Sequence, residues 1–166
     1  MSEPRWAAAF AFPVLVGAST AAAQPSGDRP DVRSMIFLSG TCERMVLAGE
    51  DVSQYCRGPV YSTTYHSGRV SFAFPASDRP SGTDFIISFS GTEERRDGET
   101  VQLLLDRITI AANVDENAST TEAEGICEYG DPAAGPIRIS CAGRTQAGDF
   151  IGVFASDGKA PTVQLF

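Results

Sequence analysis

The stretch Val60-Tyr61-Ser62-Thr63-Thr64-Tyr65-His66-Ser67-Gly68-Arg69-Val70-Ser71-Phe72-Ala73-Phe74 decides the fold class. With Ser67-Gly68 as a two-residue turn, Tyr65 faces Val70, Thr63 faces Phe72 and Tyr61 faces Phe74. Tyr61, Thr63, Tyr65, Val70, Phe72 and Phe74 then share one face, and Ser62, Thr64, His66, Arg69, Ser71 and Ala73 share the other. Large side chains collect on one side, as a half-buried antiparallel hairpin requires. A slip of one residue would move one strand's set to the wrong face.

The same alternation recurs outward from this hairpin. Met35 to Leu38 is a short apolar run, and Phe85, Ile87 and Phe89 alternate with polar neighbours. Phe150, Gly152 and Phe154 interleave with Ile151 and Val153, which predicts a strand buried on both faces and therefore central. Val101, Leu103 and Leu105 hold one phase while Ile108 and Ile110 hold the other, so either a bulge near Asp106-Arg107 or two strands meeting there is expected. Thr162 to Phe166 reads as a last strand after a turn at Asp157-Gly158. Pro75 to Thr83 and Gly91 to Thr100 read as loops, and Ala112 to Thr121 as a polar connection. About eight to nine short strands without an amphipathic helix give an all-β class, an antiparallel β-sandwich or small barrel.

Four cysteines occur, and each successive pair is fourteen positions apart, Cys42 with Cys56 and Cys127 with Cys141. Three pairings are formally open. Proximity favours the two local ones, since Cys127 and Cys141 can oppose each other across a hairpin that also sets Tyr129 against Ile139. A loop of this length stabilises by about 3 kcal/mol in the chain-entropy account. Inside the first loop the expectation is a strand to Leu47, a turn at Ala48-Gly49 and one helical turn started by Asp51. Both loops open with Gly-x-Cys-Glu, at Gly40 and at Gly125, which admits a duplicated half-domain. Turn-rich β sequences also produce such echoes, and the intervening lengths differ.

Residues 1–23 read as a signal peptide. Arg5 precedes an apolar run from Trp6 to Gly17, and Ala21 and Ala23 frame a cleavage site before Gln24. A membrane span needs roughly 20 apolar residues, and Pro13 interrupts this shorter run. Cleavage would leave a disordered lead-in over 24–33 and a single β domain over 34–166, with no transmembrane segment. An exported chain meets an oxidising compartment, periplasm or extracellular, where paired cysteines persist. Lys159 is the only lysine beside twelve arginines, a bias that suggests a GC-rich bacterial source.

The formal charge of −8 makes the chain acidic, which repels phosphate backbones and argues against nucleic acid as a partner. His66 is the only histidine, so any triad or zinc site would run through it; with the cysteines bridged, a zinc site lacks ligands, and no metal or cofactor is expected. Asp106 and Arg107 interrupt an apolar strand, either as a pocket carboxylate with a guanidinium beside it or as the outward pair at the bulge. Only one of two adjacent strand residues can be buried, and if that is Asp106 it needs a partner that Arg107 cannot easily be. His66, Arg69, Asp106 and Arg107 are thus the weak site candidates. Asp115 to Ser119 places oxygens at alternate positions, as a calcium loop does, but without the central glycine and distal glutamate; Asn117-Ala118-Ser119 is also a glycosylation sequon. An outer-membrane barrel is disfavoured because Phe166 falls in phase with Gln164 and Thr162.

No catalytic motif emerges. The leading expectation is an exported, disulfide-stabilised binding or interaction module for a protein or small-molecule ligand, of undetermined oligomeric state. The alternatives are a small hydrolase or lyase using Asp106, His66 or a carboxylate pair, and an enzyme inhibitor presenting the charged stretch Glu93 to Asp97.

Overall fold

A computed structural model describes residues 31–78, 82–98, 100–112 and 118–166, with only the backbone of residues 95–97. The expected signal peptide, most of the lead-in and the calcium-like run at residues 115–117 lie outside the described residues. The strands are β1 (Val32–Leu38), β2 (Gly40–Leu47), β3 (Glu50–Asp51), β4 (Val60–Tyr65), β5 (Arg69–Asp78), β6 (Thr83–Asp97), β7 (Thr100–Ala112), β8 (Ser119–Gly130), β9 (Arg138–Thr145), β10 (Gly148–Ser156) and β11 (Thr162–Leu165). They form one antiparallel sheet in the order β11-β1-β4-β5-β6-β7-β8-β9-β10-β2-β3.

The sheet is neither a sandwich nor a set of eight or nine strands: it is a single sheet of eleven, curled into a half-barrel. The reason lies at Ser39. β1 and β2 stand second and tenth in the order, about 38 Å apart were the sheet flat at ~4.8 Å per strand. Only Ser39 separates them in the chain, and one residue spans at most ~3.6 Å. The sheet must therefore roll until its two flanks meet. At the seam Asp157 N–H donates to Ser39 O (2.9 Å), and β10 and β11 run beside β2 and β1 in turn. Gly40 is required here, because a Cβ would lie 2.1 Å from Ala155 O.

The concave face carries the core: Val60, Val70, Phe72, Phe74, Ile87, Phe89, Leu103, Ile108, Ile139 and Phe154 are all buried, with Cys127 and Cys141 among them. Phe74 meets Phe89 edge to face (5.6 Å) and reaches across the curl to β10, where a Cβ on Gly152 would lie 2.9 Å from its ring. Each fully buried phenylalanine contributes roughly 1.5–3 kcal/mol.

The founding hairpin is present, with a register one residue away from expectation. Ser62 opposes Phe72 and Thr64 opposes Val70, so the loop has three residues, His66 to Gly68, with Gly68 at φ 81° and its N–H bonded to Tyr65 O (2.9 Å). The extra loop residue turns Tyr61, Thr63 and Tyr65 to the convex face, where Tyr61 packs edge to face on Phe37 (5.2 Å). Two expected loops are strand. β5 continues through Pro75 and Ala76, because Pro75 turns its missing N–H side past the end of β4 and its carbonyl accepts Arg57 N–H (2.8 Å). β6 continues to Asp97 as half of a long hairpin whose charged end has lost the apolar alternation. β1 begins at Val32, two residues before the expected start of the domain.

Both local disulfides form, and no free cysteine remains. Their surroundings differ. Cys127 and Cys141 are direct partners on β8 and β9, with Tyr129 opposite Ile139 as expected. Cys42 lies on β2, whereas Cys56 follows a 3-10 turn, Ser53–Tyr55, and bridges to Ala76 of β5. The repeated Gly-x-Cys-Glu therefore does not mark a repeated unit.

Candidate functional site

The phase change in β7 is a bulge, the first of the two expectations. Leu105 opposes Gly91 and Gly125 while Arg107 opposes Ser90 and Glu122, leaving Asp106 as the unpaired extra residue. Its carboxylate receives both guanidinium nitrogens of Arg69, 2.7 Å to Oδ2 and 2.5 Å to Oδ1, reaching from β5 across β6. Asp106 is not the buried member of the pair, and Arg107 also reaches it, with Nε 3.3 Å from Oδ1. A bulge tilts adjacent residues out of strict alternation, which is why neighbours can meet. The hydrogen bonds and charge of Arg69, then the charge of Arg107, hold Asp106 below the usual carboxylate range, and Asp106 raises Arg69 in return.

This arrangement fixes what Asp106 can do. A general base works best with a pKa near the operating pH, whereas an ion-paired, half-exposed carboxylate is a weak proton acceptor there. The cluster acts as a clasp between β5 and β7. His66 stands apart from it: its N–H donates to Asp31 O (3.0 Å) and its ring nitrogen faces the Asp31 carboxylate at 3.9 Å. Of the four candidates, the structure gathers Arg69, Asp106 and Arg107 and leaves His66 on an exposed turn.

Beside the clasp a wide groove of about 870 Å³ runs over the convex face, lined by Arg107, Glu122, Glu124 and Arg144. Its charges oppose one another across the ladders, Arg107 with Glu122 and Glu124 with Arg144, and Arg144 also pairs with Asp149 (2.7 Å). A second hollow of about 380 Å³ lies under residues 131–137, next to Tyr129. Tyr129 stacks edge to face on Phe72 (4.7 Å) and its hydroxyl donates to Glu93. Among the described residues no group of three or more His, Cys, Asp or Glu side chains is gathered around a metal position, and no helix is long and apolar enough to cross a membrane.

The feature that sequence reasoning missed is at the sheet edge. Among the described residues the exposed large hydrophobics are Leu104 (42%), Val163 (52%), Leu165 (79%) and Phe166 (69%), three of the four on or beside β11. Among the described residues β11 pairs only with β1. Phe166 N–H donates to Arg33 O (3.2 Å), so by alternation Gln164 and Thr162 also turn their backbone groups toward β1. The N–H and C=O of Val163 and Leu165 face away from the sheet. From Ala160 to Phe166 no residue is charged. The alternation of Val163 and Leu165 marks a strand in the sequence, but its place at the edge depends on a seam formed 124 positions earlier at Ser39, for which no local signal exists. Compared with known proteins, the chain matches no family model, no curated protein and no solved structure.

Proposed function

We propose that the chain is an exported, disulfide-clamped β domain, working in the periplasm or outside a bacterial cell, whose task is to bind a protein partner through the free edge of β11. One observation carries the reading: among the described residues, three of the four exposed large hydrophobics lie together on or beside β11, an uncharged edge strand paired on one side. Such edges bind extended chains by adding a strand, with backbone hydrogen bonds giving affinity and alternate side chains giving selectivity. The leader-like residues 1–23 and the two bridges support export. The clasp supports a structural role for Asp106, one of the residues that a hydrolase reading would have used.

The test is site-specific photo-cross-linking in cells exporting the protein, with the reactive side chain at position 165 or, on the opposite edge, at position 50. Adducts from 165 and none from 50 are expected, unchanged by Asp106→Asn. Equal adducts from both positions, or none from 165, would contradict the proposal.

A further inference from the structure

We propose that the partner of β11 is β11 of a second copy, joining two curled sheets edge to edge about a two-fold axis. This rests on the binding reading and names the occupant of that edge. The outward backbone groups belong to Val163 and Leu165, so an added strand must form its hydrogen-bonded pairs with those two residues. An antiparallel copy centred on Gln164 sets Val163 opposite Leu165 of the other copy and Leu165 opposite its Val163. All the outward donors and acceptors of the two residues are then used, in four backbone hydrogen bonds. Centring on Val163 would set Leu165 opposite Pro161, which has no N–H to give to Leu165 O.

The side chains agree with this register. Val163 and Leu165 lie on one face and meet their counterparts there, while Gln164 meets Gln164 on the other, an amide pair that can bond to itself. Thr162 falls opposite Phe166. Charge favours a like partner at this edge alone: two chains of −8 repel, and the uncharged run from Ala160 to Phe166 lets them approach with no like charges opposed in the ladder. Joining β11 to the other end of the sheet is disfavoured, since β3 has two residues, both acidic, and chain growth in that sense would leave an open filament. The isologous contact closes at two copies. With four backbone bonds and three apolar side chains from each copy, it belongs to the small, transient class of interfaces.

The experiment measures the solution mass of the exported, oxidised chain over rising concentration, for the parent, Leu165→Pro, Val163→Lys and Gln164→Cys. The expected result is a rise from one chain to two that stops at two. Leu165→Pro removes an outward N–H and spares the bonds to β1, so it should stay at one chain with the parent's circular dichroism. Should that variant fail to fold, Val163→Lys keeps every backbone group and should likewise stay at one. Gln164→Cys should yield a reductant-sensitive species of twice the mass, because a non-hydrogen-bonded central pair sets Cα atoms ~4.5 Å apart, within bridging distance. A single chain at every concentration without that species, a dimer that survives both edge variants, or growth beyond two would each overturn the proposal. A parent that stays single yet still forms adducts from position 165 with a different protein would overturn the dimer and keep the binding reading; one that forms none would end both.

Discussion

The two ends of the sheet handle the same problem in opposite ways. At the β2 end, the outward groups of Met45 are both covered: Val52 N–H donates to Met45 O (2.9 Å) and Met45 N–H donates to Ser53 Oγ (2.9 Å). Asp51 accepts from Ser53 N (3.0 Å) and Oγ (2.6 Å), which lowers its own pKa, and the Cys42–Cys56 bridge anchors the cover to the strand. Arg57 completes it, donating to Gln54 O and Cys56 O (2.8 Å each) and to Ser77 O (3.2 Å). At the other end, no described residue covers β11 in this way. An exposed strand edge invites pairing, and chains that must avoid it use short, charged or covered edges. Both edge strands are short, but only the β3 edge is also charged and covered, whereas β11 carries no charged residue and, among the described residues, no cover.

The largest expected effect comes from removing the cover. Cys42→Ala with Cys56→Ala should cost about 3 kcal/mol of stability, the loop-closure contribution of a bridge this size, read as a lower midpoint in reversible denaturation. It should also make the β2 edge associate, which would erase the contrast. A parent-like midpoint would show that the hydrogen bonds alone hold the cover. Next, Gln164→Pro and Leu165→Pro should behave differently although they are neighbours. The first removes an N–H that faces β1 and should cost about 1–3 kcal/mol, while the second should fall within ~0.5 kcal/mol of the parent. Equal losses would contradict the assigned phase of β11. Ser53→Ala leaves the buried Met45 N–H without its acceptor and should cost about 1–2 kcal/mol by the same measurement.

Much of this frame was legible in the residues, and the failures have physical causes. The bridges, the turn at Ala48-Gly49 and the bulge at Asp106 follow from local chemistry or a change of phase, whereas the helical turn is a 3-10 turn at Ser53–Tyr55 capped by Val52, with Asp51 in β3. The hairpin register failed because Ser67-Gly68 read as a two-residue turn: the apolar bulk of Tyr61 and Tyr65 favoured that pairing, yet Phe37 covers Tyr61 from the convex side. Two strand ends read as loops: at Pro75 to Asp78 the proline masks a strand whose Ala76 is buried, and beyond Gly91 the exposed Thr92, Glu93 and Glu94 lose the apolar alternation. Of the candidate residues, the separation of Asp106 from His66 and its union with Arg69 depend on strands 37 positions apart, beyond the reach of any spacing argument.

The smallest effect serves as a control away from both edges. The Asp106 carboxyl is held below its ordinary value of about 3.9, so its contribution is present above that pH and disappears as pH falls through the folded value. Asp106→Asn should cost under ~1 kcal/mol at neutral pH, since the pair is half exposed and screened. The gap from the parent should close in acid, with no change at either edge.

The contrast between the edges is tested most directly by residue-resolved amide hydrogen exchange in dilute solution. The account predicts slow exchange at Val52, Gln164 and Phe166 and fast exchange at Val163 and Leu165, the last two slowing as concentration rises. Uniform protection along β11 in dilute solution, or slow exchange at Val163 and Leu165 with fast exchange at Gln164, would contradict it.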